Sequence, residues 1–116
     1  MTSIVVAGGI IWQDDHLLAA LRPQGKPMAG YWEFPGGKRE AGETMEQCVV
    51  RECQEELGIV IRPKGLYAQE HYTYGTEPFS FAFFNAEIAE GEPENHVHRA
   101  RKWVRPAELL SEPFCP

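Results

Sequence analysis

Residues 44–58, "TMEQCVVRECQEELG", constrain this chain more than any other stretch, because their start, their face and their stop all specify one helix. Thr44 stands where an N-cap belongs, and Gln47 three residues later completes a capping box. Gly58 supplies the left-handed stop. Between them Val49, Val50, Cys53 and Leu57 form an apolar stripe that must face a core. Strand-like runs lie on both sides. Upstream, "SIVVAGGIIW" (3–12) is β-branched and bounded by "QDD", "HLLAALR" (16–22) follows as its hairpin partner, and "YWEF" (31–34) enters a "PGG" turn at 35–37. The intervening "PQGKPMAG" (23–30) is loop. Downstream, "IVIRP", "GLYAQEHYTY" and "PFSFAFFNAEI" read as strands separated by turn residues, with a hairpin turn inside "HYTYGTEPFS" (71–80). "RKWV" (101–104) is a last strand, and "PAELL" (106–110) starts a helix with Pro in its first turn. This order predicts an α/β domain, a mixed sheet with a helix packed on it.

The same helix carries an electrostatic problem. Glu52, Glu55 and Glu56 are three and four residues apart, so they project to one side at the rim of the apolar stripe. Like charges at that spacing repel by about 0.2–0.5 kcal/mol per pair. Acidic groups in the last turn also oppose the helix dipole, at roughly the same cost. Arg51, one turn from Glu55, offsets part of this. On charge alone two readings stand level. One is a solvated acidic face; the other is a site for a hard divalent cation, Mg²⁺ or Mn²⁺, which needs several converging oxygens.

The 116 residues suffice for one domain, 1–116, and 43% hydrophobic with 24% charged residues is the balance of a globular protein. No apolar run approaches a membrane span, and residues 1–12 lack the basic start of a signal peptide. The expectation is a soluble, cytoplasmic protein with no membrane partner. A net charge of −6 argues against a nucleic-acid polymer, which requires a basic stripe. It leaves room for a small phosphorylated ligand, because a bound divalent cation reverses the local sign. Cys48, Cys53 and Cys115 are odd in number and form no C-x-x-C, which points to reduced, buried thiols rather than to disulfides or zinc.

Residues upstream of the helix break the tie. From Gly37, five residues lead to Glu43 and seven more to "RECQEELGI", giving G-x5-E-x7-R-E-U-x-E-E-x-G-U, where U is bulky and apolar. Cys53 fills the first U as a slightly small residue, and Ile59 fills the second. This pattern over 37–59 is the signature of the Nudix hydrolases, which the chain resembles. "VVAGGIIW…LLAALRP…MAGYWEFPGGKREAGET" is similar to the MutT-like branch, the nucleoside triphosphate pyrophosphohydrolases that include 8-oxo-dGTP diphosphatases. The likeness is specific over 3–60 and weaker over 61–110, where "W-V-x-P-x-E-L" (103–109) carries it.

The resemblance implies a Nudix-type α/β/α sandwich around a mixed sheet, an enzyme, and Mg²⁺ as cofactor with Mn²⁺ able to substitute. It implies Glu52, Glu55 and Glu56 as metal carboxylates, joined by the Gly36 carbonyl. Glu52 and Glu55 are then catalytic, with Glu43 as a supporting carboxylate and Arg51 holding a catalytic glutamate by a charge-assisted hydrogen bond. Arg22 matches a phosphate-contacting arginine and Lys38 lies beside the diphosphate. Glu33, Phe34, Pro35, Gly36 and Gly37 match the strand and turn lining the nucleotide pocket. The reaction implied is hydrolysis of a nucleoside triphosphate to a monophosphate and pyrophosphate. Two alternatives remain: another nucleoside diphosphate derivative such as ADP-ribose or a dinucleotide, or a non-catalytic nucleotide-sensing module.

The chain departs from that pattern in three places. A further glutamate common in MutT-like proteins would fall near Val97, inside "HVHRARKW"; His96 or His98 stand there as proton acceptors or as incidental loop residues. The sequence ends at "SEPFCP" (111–116), so the second helix of the sandwich reads as truncated; either a further tail carries it, the favoured reading, or a partner subunit, as in a homodimer, covers the sheet face. Pro27 stands where one member has a histidine. Among the aromatics, Phe79 and Phe81 are the favoured candidates for stacking on a base, although most aromatics alternate along strands as core.

Overall fold

The computed structural model describes residues 4–22, 31–96, 98 and 100–111; Pro27 and its loop, Val97, Cys115 and the end of the chain lie outside the described residues. In order, the elements are β1 (Ile4–Gln13), β2 (His16–Leu21), β3 (Trp32–Glu33), β4 (Gly36–Lys38), α1 (Met45–Leu57), β5 (Val60–Tyr74), β6 (Glu77–Glu90), β7 (Ala100–Val104) and a 3₁₀ turn, Pro106–Ser111. All seven strands belong to one mixed sheet, ordered β3-β2-β1-β6-β5, with β4 also on β1 and β7 also on β2. The parallel pair is β1–β6, running from Ile4 opposite Phe79 to Trp12 opposite Glu87. The other pairs are antiparallel.

Alternation along the central strands divides the core between two faces. Ala7, Ile11, Leu18, Ala82, Phe84 and Ala86 face α1 and meet Cys48, Val49, Cys53 and Leu57, none of which is solvent-exposed. Fully burying a side chain of Val or Leu size contributes about 1.5–3 kcal/mol, so this seam fixes where α1 sits. The other face gathers Ile10, Leu17, Ala19 and Val104 under Trp12, Trp32, Phe34 and Phe83. The architecture is therefore α/β, as expected, and the described residues supply one of the two helical layers of the expected sandwich.

Several local expectations need correction. Gly36 and Gly37 lie in a strand rather than a turn, because β1 offers its free edge there: Ala7 opposes Gly37 and Gly8 opposes Gly36. "IVIRP" and "GLYAQEHYTY" form one long strand, in which irregularities at Pro63/Gly65 and Leu66/Ala68 absorb the turn-like residues without ending the pairing. "PAELL" closes in the tighter 3₁₀ form. On α1 it is Cys48, not Val50, that is fully buried; Val50 packs at the edge.

Candidate functional site

The two ends of α1 are satisfied in different ways. At the start, the Thr44 hydroxyl accepts from the Gln47 amide (3.0 Å) while the Thr44 amide donates to the Gln47 side chain (2.8 Å), so the box closes as the sequence specifies. Gly58 adopts φ 70° and its N–H donates to Gln54 O. The carbonyls beyond Gln54 need donors from elsewhere. Glu94 N–H reaches Leu57 O (2.8 Å), and His96 N–H reaches Glu56 O (3.0 Å). The His96 imidazole Nδ1 lies 3.1 Å from Glu55 O. Glu94, followed by the Glu55 carbonyl, raises the pKa of His96, which favours the cationic form at the end where the helix dipole is negative.

Arg51 gathers the outer carboxylates. Its Nε and Nη2 donate to the two oxygens of Glu43 (2.6 and 3.1 Å), its Nη1 to Glu52 (2.7 Å) and Glu55 (3.1 Å), and its Nη2 also to Lys38 O (3.1 Å). Hydrogen bonding to Arg51 holds the Glu43 carboxyl down at about 2. The sequence had assigned Arg51 a partial offset of one neighbour. Folding brings Glu43 and the β4 backbone to the same guanidinium, and its planar fork serves all of them.

Glu52 and Glu56 are set against the glycine strand. A Cβ built on Gly37 would lie 2.5 Å from the Glu52 carboxyl, and one on Gly36 would collide with the Ala7 carbonyl, so side chains are excluded from this surface. Glu56 is buried, not at the rim as its spacing suggested, with 7% exposure. Its Oε1 has no hydrogen-bond partner. Burial, then the neighbouring Glu52 and the charge of Glu33, push its pKa strongly upward, against a smaller opposing effect of the Gly36 amide. Ionising a carboxyl whose buried oxygen has no donor is costly, and a bound cation would relieve that cost. Among the described residues no three acidic, His or Cys side chains already converge in ligand geometry; Glu43, Glu52 and Glu55 are turned to Arg51 instead.

A second polar group lies behind Glu56. His98 has a side chain only 2% exposed, with Nε2 2.9 Å from Glu33 Oε2 and 3.5 Å from Glu56 Oε1. The second oxygen of Glu33 takes the Arg22 guanidinium at 2.6 Å. Arg22 and Glu33, expected separately at phosphate and nucleotide, are thus partners of each other. Burial of His98 and its contact across 65 residues carry no signal in the local sequence. His96, the other candidate proton acceptor, is engaged at the helix end.

The remaining expected residues border this group. Phe34 makes an edge-to-face contact with Phe83 (6.0 Å between centroids), and Phe83 continues a parallel ladder through Phe81 and Phe79 at 6.2 and 5.9 Å. Pro35 is fully buried and its carbonyl accepts from Gly9 N–H (2.8 Å). Lys38 is exposed at the end of β4. Cys48 donates its thiol to Gly37 O (3.4 Å), and burial raises its pKa to about 11; Cys48 and Cys53 are both free thiols. Among the described residues no helix is long and apolar enough to cross a membrane.

Comparison with known proteins agrees with this arrangement. The NUDIX domain family matches residues 2–116. The chain is 34% identical to the CTP pyrophosphohydrolase of Escherichia coli K12, covering 100% of this chain and 86% of that protein. It is 38% identical to the 8-oxo-dGTP diphosphatase of Haemophilus influenzae, covering 97% and 84%. The crystal structure of a MutT NUDIX hydrolase from Burkholderia pseudomallei superposes with a TM-score of 0.83 at 29% identity, over 100% of this chain and 90% of that one. The chain belongs to the Nudix family as a MutT-like pyrophosphohydrolase.

Proposed function

We propose that this chain is a Mg²⁺-dependent nucleoside triphosphate pyrophosphohydrolase. It acts as one domain over 1–116 in the cytoplasm, and releases a nucleoside monophosphate and pyrophosphate. The observation that carries the metal reading is the buried Glu56 Oε1, which lacks a donor beside Glu52 and the bare Gly36–Gly37 backbone. Glu52, Glu55 and Glu56, with the Gly36 carbonyl, would hold the ion, and its chemistry is to neutralise phosphate oxygens and to activate a bound water. Mn²⁺ fits the same oxygen donors.

The chain's own residues do the positioning. Arg51 keeps Glu52 and Glu55 in place and Glu43 anchors Arg51. Lys38, exposed at the end of the glycine strand, would meet the phosphates, and Arg22, paired with Glu33 on β3, would be a further phosphate contact. Glycine backbone at 36–37 lets the diphosphate approach without a side chain in its path. Phe34 and the Phe79–Phe81–Phe83 ladder give the base a stacking surface, worth about 1–3 kcal/mol per base.

For the base, 8-oxo-dGTP is the leading substrate. A cytidine triphosphate is the second reading, favoured by 34% identity to a CTP pyrophosphohydrolase along the whole chain. The test is a panel of 8-oxo-dGTP, dGTP, CTP, dCTP and ADP-ribose, with and without Mg²⁺, scored for pyrophosphate. Pyrophosphate from a triphosphate, abolished by EDTA and restored by Mg²⁺, is expected. Release of inorganic phosphate, cleavage of ADP-ribose alone, or binding without turnover would overturn the proposal.

A further inference from the structure

We propose that His98 is a positioning residue that braces Glu33 against Glu56 and thereby sets the divalent-ion affinity of the site; this deepens the reading of Glu56 as a metal ligand and rests on it. Two acidic side chains from different elements, Glu33 on β3 and Glu56 on α1, come together below the surface, and His98 is the group between them. Its Nε2–H belongs to Glu33, at 2.9 Å; the 3.5 Å approach to Glu56 is a contact rather than a hydrogen bond. With Arg22 on its other oxygen, Glu33 has both oxygens occupied and its carboxyl plane fixed. Glu33 is therefore a buttress, not a free acceptor waiting for a ligand.

The consequence falls on Glu56. The imidazole walls off one side of that carboxyl, while the Gly36 amide lies on another. Glu56 Oε1 keeps its lone pairs uncommitted and its orientation restricted, which is what a pre-organised ligand oxygen requires. Removing the ring would leave Glu33 with one donor, open a void beside Glu56, and let both carboxyls turn. Partners behind metal ligands act this way generally, and their loss weakens binding by about 10–100-fold. The same geometry argues against His98 as the base that activates water: Nε2–H is held by Glu33, and the accepting nitrogen, Nδ1, is buried and has no partner.

The experiment measures Mn²⁺ binding to the nucleotide-free protein by paramagnetic resonance of the unbound ion, with kcat and KM for a triphosphate measured alongside. Wild type, His98→Ala, His98→Gln, Glu33→Gln and Glu56→Gln are compared, and thermal melts in EDTA report folding. Expected is a loss of Mn²⁺ affinity of about 10-fold or more in His98→Ala. The matching fall should appear in kcat at fixed Mn²⁺, with little change in nucleotide KM. His98→Gln keeps an N–H donor and should recover most of the affinity. Wild-type Mn²⁺ affinity in His98→Ala overturns the proposal, as does equal loss in His98→Ala and His98→Gln, which would mark a packing role alone. Should His98→Ala not fold, Glu33→Gln decides: weakened Mn²⁺ binding supports the brace, and unchanged binding refutes it. Wild-type affinity in Glu56→Gln would instead remove the metal-site reading beneath it.

Discussion

Glu52 and Glu56 are the same residue one helical turn apart, yet the fold treats them differently. Exposure hardly separates them, since their side chains are 16% and 9% accessible. Partners do. Glu52 receives the Arg51 guanidinium at 2.7 Å, whereas Glu56 Oε1 receives no hydrogen bond and Glu56 is driven toward its neutral form by burial. One carboxylate is held by a guanidinium, and the next is ionised only at a cost that a cation would offset. The lesson is that an acidic helix end is tuned by which donors reach each carboxyl in the fold, not by the spacing of the acids along the helix.

Three experiments sharpen or break that contrast. The largest effect belongs to Glu52→Gln: turnover should fall by about 10³-fold, several kcal/mol of lost transition-state stabilisation, with the circular dichroism spectrum unchanged. Near-normal pyrophosphate release from this variant would place the chemistry elsewhere.

Glu56→Gln should also lose activity, but it should stabilise the metal-free protein. The Glu56 pKa is raised from 4.5 to about 9 on folding, so between those values unfolding releases a proton and wild-type stability declines as pH rises. Below the lower value both states are protonated and the penalty vanishes. In EDTA at pH 8 the variant should melt about 4–8 °C above wild type, the shift of roughly 1 kcal/mol in a domain of this size. Its advantage should shrink toward pH 4. A variant that melts below wild type at pH 8 would contradict a strained, unpartnered carboxylate.

The smallest effect is a control at the other end of α1. Thr44→Ala removes the cap and should cost about 1 kcal/mol in urea unfolding, with kcat/KM unchanged. A loss of activity there would show that the helix start, too, participates in the site.

Legibility followed the range of the interactions. The helix limits were readable because Thr44, Gln47 and Gly58 act within a few residues of their targets. The strands of β1, β2, β6 and β7 were readable from alternation and turn residues, and the pattern at 37–59 identified the acidic side chains that the fold assembles. What failed depended on partners distant in sequence. The Gly36–Gly37 pair reads locally as a turn, but the free edge of β1 draws it into a strand. Cys48 was expected to be buried, but its thiol's acceptor, Gly37 O, is supplied only by the folded sheet. The pairing of Arg22 with Glu33 across β2–β3 was likewise not legible in the sequence.

By itself, the sequence determined an α/β chain with one amphipathic helix, its capping, and a concentration of carboxylates at its end, since each of these is written in short-range chemistry. Tertiary structure decided which carboxylate is braced and which is left wanting. Desolvation and the supply of donors depend on Arg51 meeting Glu43, on residues 94–96 closing the helix end, and on His98 arriving beside Glu33. Those contacts join segments far apart along the chain, and no local pattern encodes a charge's surroundings before the chain has folded around it.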